Sequence, residues 1–561
     1  MIMKEKGIDI NVVFEIGGLV VVIALIEVIV GRASSMDASY IVSCFSFLQA
    51  SMVFAFTCLL FLCVPQIACY VLLGLVAIWC ASETIYALFQ LFGLSSSNHL
   101  LYPMTGSFRN PGPFGGFLSI CISLVVAYYI KGKDHSGVRC TKLLITIGVV
   151  SAIVLPSVRS RSAMLALACS LILLLFNSRY LKFKITPLLR KYFIWVLSCF
   201  FVIGCCAYLI KKRSADGRFF MDRISLMAMK ENNWKGSGIG SFDGVYADTQ
   251  ARFFKRKMLE NGVDDLDWEV IDEHSRLTAD APDYAFNEYL QIGVEYGLLM
   301  MLLFIGMIVL SIVVSLRKGT VWCYGITAFA VFAFFSYPLH VKEFQLLMPM
   351  LMAAGLCDGI TWCSNGQKKI RYVITVVMIV LLTELSIIYG SRYSVLKQYK
   401  WYESSHRETE RLYQMEKYTH VVADCEKQFA YLRNDHQFLL EYGQALNKSG
   451  NYIKSDSVLM MGARISSNPL FWNIMGNNSL ALGCFREAES RYKHAFHMIP
   501  NRLYPLYKLA LLYQAEGDST RFLMMAEKVE SFIPKVDSDL TEQMRKEIAT
   551  IKQGYLKMDN L

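Results

Sequence analysis

Glu288, Gln291 and Glu295 stand three and four residues apart. That spacing puts a carboxylate, an amide and a second carboxylate on one face of a helix. The run that carries them, AFNEYLQIGVEYGLL (285–299), leads straight into an apolar stretch. Acids are costly in lipid, so this face is expected to line a wet cavity, with Asn287 and Glu288 at its entry. The alternative is an amphipathic helix lying in the interface. Arginines supply the opposite chemistry. Arg161 lies in SVRSRS (157–162) and opens a predicted helix. Arg109 precedes Asn110 and Pro111 at another helix mouth, and Arg223 lies in DRISLMAMKENNWKGSGIGSF (222–242). A guanidinium beside a helix N-terminus, which itself favours anions, makes a phosphate clamp. The alternative for Arg161 is anchoring at the lipid interface, and for the Arg109 segment an ordinary capped loop. Gly236, Gly238 and Gly240 permit close backbone approach to a ligand, but they lack the strand–loop–helix setting of a phosphate loop.

The chain that positions these residues is strongly apolar. Of 561 residues, 54% are hydrophobic and 18% charged, which excludes an ordinary soluble protein of this length. A helix needs about 20 apolar residues to cross a bilayer. Spans are expected near 11–31, 40–63, 67–93, 114–130, 141–156, 162–177, 192–210, 291–316, 321–337, 344–361 and 372–390. The first reads as a retained anchor rather than a signal peptide, because the run is long and a second span follows closely. The fold class expected is all-α, a polytopic bundle of about 11 membrane helices over 1–390 followed by helical repeats. A polar loop of 78 residues, Lys211 to Glu288, interrupts the bundle. Its front half, 211–257, holds eleven Lys/Arg against five Asp/Glu, and its back half, 258–288, holds ten acids and Arg276. The acid-rich half reads as a solvated surface.

Lysine and arginine counts orient the spans. With the N-terminus inside, interior loops carry sixteen basic residues and short exterior loops five. This places the 211–288 loop and, with eleven spans, the C-terminal domain outside. The net charge of +10 is largely this interior excess, so nucleic acid is not expected as a partner. No Cys-x-x-Cys or Cys/His cluster points to a metal, and no cofactor is implied. Fourteen of sixteen cysteines lie in the membrane region, where cysteine serves as a small hydrophobe. Cys425 and Cys484 are either a pair or two separate thiols.

Residues 436–535 show a period of about 34, with Pro500 and Pro534 34 apart. Gly443, Gly476, Ala510 and Ala488 are small positions that let paired helices approach. Three units are clear, and a linker with a degenerate unit is expected in 391–435. The pattern resembles the tetratricopeptide repeat. Such a domain either recruits a protein partner in its groove or caps the membrane domain.

Taken in order, four segments resemble the O-antigen ligase-like family, which includes O-antigen ligases, O-antigen polymerases and bacterial protein O-oligosaccharyltransferases. TGSFRNPGPFGGFLS (105–119) is similar to the family's Gly/Asn/Pro loop, and SRSAMLALA (160–168) to its Ser-Arg-Gly motif. Residues 222–242 are similar to its arginine helix and Gly-x-Gly turn, and 285–299 to its His-Asn motif. The resemblance covers roughly 100–350. It implies a glycosyltransferase fold of the lipid-phosphosugar type in the bacterial cytoplasmic (inner) membrane. The implied reaction moves a glycan from a polyprenyl-diphosphate carrier to an external acceptor: a lipid A-core, a growing glycan or a protein. Arg161 and Arg223, with Arg109 as a third, would hold the diphosphate, and no metal is expected. The departure is Phe286, which stands where the family has histidine. Either the base is Glu288 or one of Asp283, Tyr284 and His340, or the step needs little base help, or activity is lost. Ligation is the preferred reading, repeat-unit polymerisation the second, and a non-catalytic scaffold working through the repeat domain the competing class.

Overall fold

In the computed structural model, residues 41–131, 138–177, 212–262, 264–360 and 365–558 are described, and among them every regular element is a helix. The spans expected at 11–31 and 192–210 lie outside the described residues. The membrane part begins with α1 (Ile41–Cys63), α2 (Pro65–Leu91), α3 (Pro111–Lys131), α4 (Val138–Val154) and α5 (Arg161–Asn177). It resumes with α10 (Leu298–Lys318), α11 (Trp322–Phe334), α12 (Lys342–Cys357) and α13 (Asn365–Gln414). Proline opens α2 and α3, where its missing N–H costs nothing. Five of the described helices are long and apolar enough to cross a membrane, namely those over 45–63, 65–91, 111–131, 298–318 and 367–414. The helices 143–158, 161–177 and 322–334 are shorter but apolar.

Glycines set the closest approaches in the bundle. A Cβ on Gly115 would meet Ser160 at 2.9 Å and Ala163 at 3.1 Å, so the mouths of α3 and α5 are drawn together. Gly116 lies under the Phe332 ring of α11, and Gly325 of α11 lies under Leu124 of α3. The apolar core of these helices centres on Phe114, Phe117, Trp322, Phe329, Phe332 and Phe344.

Between α5 and α10 the chain forms α6 (Lys212–Glu231), α7 (Phe242–Asn261), α8 (Glu273–Thr278) and α9 (Glu288–Tyr296). The expected span 291–316 is therefore two helices rather than one. Gly297 breaks it at φ 91°, and Leu298 N donates to the Trp234 carbonyl at 3.0 Å. The glycine turn docks there, with Ser237 N bonded to Val294 O at 2.8 Å and Gly238 N to Glu295 O at 2.9 Å. A side chain at Gly297 would strike the backbone of Lys235.

After α13 come α14 (Tyr418–Leu432), α15 (His436–Lys448), α16 (Tyr452–Ala463), α17 (Leu470–Ala481), α18 (Phe485–Met498), α19 (Tyr504–Glu516), α20 (Ser519–Ser531) and α21 (Asp539–Met558). They pair as hairpins, and the first helices begin at 436, 470 and 504, that is, 34 residues apart each time. Gly443 lies against Leu459 and Gly476 against Tyr492, as small residues at a helix crossing require. Residues 391–414 are not a separate linker. They continue α13, whose 50 residues span about 75 Å and carry it well beyond a bilayer. Cys425 is buried, Cys484 is exposed, and both are free.

The loop and the hairpins share one core. Phe220 and Ile224 of α6 and Phe242, Tyr246 and Phe254 of α7 pack in the same cluster as Tyr492, Phe496, Leu506 and Phe522. The acid-rich half of the loop is accordingly divided: Glu260, Glu269, Asp272, Glu273, Asp280 and Asp283 are exposed as expected, while others of its acids face the hairpins. Lys493 meets Asp265 at 3.0 Å, Lys528 meets Asp264 at 3.0 Å and Asp267 at 2.9 Å, and Lys535 meets Asp280 at 2.8 Å. Partly exposed pairs of this kind add roughly 0.2–1 kcal/mol each, so they set register while the apolar core holds the seam. Four helices, α10 to α13, separate the loop from the hairpins. Because the two share a core, they lie on the same side of any membrane that these helices span.

Gly244 lies at this seam. A Cβ there would fall on the Arg464 carbonyl oxygen, a backbone group that cannot turn aside. Gly244→Ala is expected to cost about 1–3 kcal/mol through overpacking and to expose 262–283 to protease. Unchanged melting and an unchanged digest would show that the seam gives way without cost.

Candidate functional site

The loops before α3 and α5, the start of α6, the entry to α9 and the turn before α12 meet at one mouth of the bundle. Each is held there by identifiable contacts. Two polar residues inside α2 hold the loop before α3. Glu83 accepts from Ser107 N at 2.9 Å and Ser107 Oγ at 2.7 Å, and Gln90 Oε1 accepts from the N–H groups of Thr105 and Gly106 at 2.9 Å each. The loop then presents Asn110, whose side-chain oxygen accepts from Gly112 N and whose amide donates to the Tyr337 hydroxyl at 3.3 Å. Arg161 is the first residue of α5, at its positive end.

On α6 the arginine at the mouth is Arg218. Its Nη1 donates to the Phe335 carbonyl at 3.0 Å, and its guanidinium lies 5.3 Å from the centre of the Phe286 ring. Burial pulls Arg218 below its ordinary value, the neighbouring Arg161 pulls it further, and Asp222 and Tyr337 oppose them. Arg161 and Arg218 are thus close enough for their charges to act on one another. Two cations brought together from separate helices repel unless an anion lies between or beside them. Arg223 is not in this group. It is exposed, lies over the Phe253 ring at 5.1 Å, and shares that ring with Lys257. The arginine that α6 brings to the mouth is therefore Arg218, five residues earlier. Arg109 is exposed on the rim and acts electrostatically on Tyr284.

Opposite the arginines is a group of acids with one imidazole. Asn287 caps α9 and donates to Asp222 Oδ1 at 3.5 Å. Glu288 is 1% exposed. Its Oε2 accepts from Leu339 N at 2.9 Å, and its Oε1 lies 3.5 Å from His340 Nδ1. Gln291 and Glu295 follow on the same buried face, as their spacing predicts. Gln291 Oε1 accepts from Ala285 N at 3.0 Å, and its amide nitrogen faces Glu295 Oε1 at 3.3 Å and His340 Nε2 at 3.0 Å. With the amide fixed in that sense, a neutral His340 accepts at Nε2 and carries its proton on Nδ1, toward Glu288.

The pKa directions follow from this packing. Burial lowers His340, but the carboxylates of Glu288 and then Glu295 outweigh it, and the imidazole lies above its ordinary value. Burial pushes Asp222 up to about 6 against the pull of Asn287 and Arg218. Burial, Asp283 and Glu295 together push Asp243 up to about 8. A proton is therefore available on the acid side of the mouth near neutral pH.

Aromatic rings form the wall between the two halves. Tyr284 and Tyr337 stack at 4.5 Å, Tyr284 lies 4.7 Å from His340, and Phe286 meets Tyr337 edge-on at 5.1 Å. Phe286 has φ 51°, a left-handed conformation that is costly for such a residue and that marks a constrained position. Asp283 is exposed at the edge of the mouth. The arrangement can bind a multiply charged anion between guanidinium groups, expose a sugar-sized surface to aromatic faces, and move a proton on the Glu288–His340 side. Among the described residues no group of three His, Cys, Asp or Glu could hold a metal ion.

Residues that the sequence did not single out for the mouth are Glu83, Gln90, Arg218, Asp222, Asp243 and Tyr337. Glu83 and Gln90 could have been found, since an acid and an amide in an apolar span need a partner. The comparisons with known protein families, with curated proteins and with solved structures returned no match for this chain.

Proposed function

We propose that the protein is a membrane glycosyltransferase that takes an oligosaccharide or polysaccharide from a polyprenyl-diphosphate carrier and transfers it to an acceptor on the outer face of the bacterial cytoplasmic membrane. The observation that carries this reading is the pairing of Arg161 with Arg218 at the same mouth as Glu288 and His340. A departing diphosphate gathers negative charge as its bond to the sugar breaks, and two guanidinium groups stabilise that charge more than they stabilise the intact donor. The acceptor hydroxyl must lose a proton, and the Glu288–His340 pair faces the same space. The mouth stands at the ends of apolar helices, where a polyprenyl chain can stay in lipid while its diphosphate reaches the arginines.

In this reading the bundle has about eleven spans, including those expected at 11–31 and 192–210. The loop and the hairpins lie outside the cytoplasm. The hairpins form a tetratricopeptide-type solenoid, a reading supported by the 34-residue spacing of their first helices. Their close junction with the loop supports an acceptor delivered from the hairpin side, which favours ligation to a lipid A-core or a protein over repeat-unit polymerisation.

The test is deletion of the gene followed by separate analysis of lipopolysaccharide, capsule and glycoproteins. Loss of glycan from one of these, restored by the parent gene and not by an Arg161→Ala copy, is the expected result. Unaltered glycans in all three would leave the scaffold reading in place.

A further inference from the structure

A second cationic site lies away from the mouth, where α7 of the loop crosses α18 of the hairpins. The two helices enclose an open cleft of about 440 Å³, a size within the usual range for a small-molecule site. Arg252 and Lys255 of α7 and Arg486 and Lys493 of α18 line it, together with His494 and His497. The only acids on its wall are Asp265 and Glu489.

These charges do not cancel locally. Arg252 is taken by Glu231 at 2.7 Å, and Lys493 by Asp265 at 3.0 Å and Glu489 at 3.1 Å. Glu489 also serves Arg521 at 3.4 Å. His494 faces Asp248 at 3.4 Å. His497 is buried, its Nε2 is bonded to the Asp265 carbonyl at 2.6 Å, and burial pulls it down to about 4, so it stays neutral. That leaves Lys255 and Arg486, one from each side of the seam, with no carboxylate within ion-pair distance among the described residues. Two bodies that pack through a shared apolar core have here placed like charges across a cleft. Both side chains are exposed, so solvent weakens their mutual repulsion, and an anion seated in the cleft would meet both charges.

We propose that this cleft is an anion site that takes a small phosphate- or carboxylate-bearing ligand, held between Lys255 of the loop and Arg486 of the hairpins. Two sources share that chemistry, free phosphate and the charged group of an acidic or phosphorylated sugar. Binding bridges the two bodies and stiffens the platform that carries α6 and α9. The inference stands whether or not the mouth transfers glycans.

The experiment is thermal unfolding of the full chain in detergent at constant ionic strength, with inorganic phosphate, glucose 6-phosphate or glucuronate as the probe. A saturable rise in Tm of roughly 2–4 °C is expected for a ligand at many times its Kd. The Lys255→Gln/Arg486→Gln double variant should lose the rise and, with the repulsion gone, melt no lower than the parent without anion. Arg218→Ala should keep the rise. A larger response to the sugar probes than to phosphate assigns the sugar source, and an equal response assigns phosphate. No saturable rise with any probe overturns the proposal. So does a rise that the double variant keeps, or one that Arg218→Ala alone removes.

Discussion

Arg218→Ala is expected to reduce transfer by at least ten- to a hundredfold while Arg223→Ala leaves it nearly unchanged. A charge-assisted hydrogen bond is worth roughly 1.5–3 kcal/mol, and one that strengthens only as the leaving group departs falls fully on the rate. Arg218 also has a structural bond, from Nη1 to the Phe335 carbonyl at 3.0 Å, so alanine removes a tie to the turn before α12 as well. Arg218→Lys separates the two effects. Lysine keeps the charge and can reach the carbonyl, but it lacks the planar fork that meets two phosphate oxygens at once. The expected result is a lysine variant with the parent's melting temperature and a rate between those of parent and alanine. Arg161→Ala should match Arg218→Ala, and the double variant should be little worse than either, because the pair acts on one group. Parent-like transfer by Arg218→Ala, or equal impairment by Arg223→Ala, would sink the assignment.

The difference between Arg218 and Arg223 shows where sequence reading reaches its limit. The segment 222–242 stands out in the sequence, and so does an arginine helix before a glycine turn. Which arginine faces the mouth depends on the rotation of that helix. Phe220, Ile224 and Ala228, four residues apart, pack into the core shared with the hairpins. Around the helix axis Arg223 lies about 100° to one side of that stripe, Arg218 about 120° to the other, and Asp222 nearly opposite it. The apolar stripe was legible, but it does not by itself choose between the two arginines. What it packs against, α7, α8 and α9 further along the same loop, was not. The same limit hid the acid-rich half of the loop, whose lysine partners Lys493, Lys528 and Lys535 belong to a different part of the chain. By contrast, the shared face of Glu288, Gln291 and Glu295 and the 34-residue hairpin period are local regularities. The structure shows both of them.

Glu288→Gln is expected to have the second large effect, a fall of about 10²- to 10⁴-fold in transfer if the pair with His340 removes the acceptor proton. Glutamine preserves the acceptor for Leu339 N and the packing of α9, so the protein should fold normally. What it removes is the charge facing His340. With burial alone acting against it and only Glu295 left in support, the imidazole should titrate lower. Transfer that needs a neutral imidazole therefore has an acidic limb above pH 6.5 in the parent, and that limb moves to lower pH in Glu288→Gln. Stability changes in the matching sense. A histidine whose folded value is raised contributes stability that is fully present below its unfolded value, about 6.5, and lost as pH rises through the folded value. The parent should therefore lose melting temperature above pH 6.5, and Glu288→Gln should lose less over the same window. His340→Gln should remove both the limb and this loss, and combining it with Glu288→Gln should add little. A limb that stays in place, together with an unaltered fall in melting temperature, would mean that Glu288 only ties α9 to the turn at Leu339. The proton would then have to leave through Asp243 or Asp222, whose raised values would put the limb near pH 8 or pH 6.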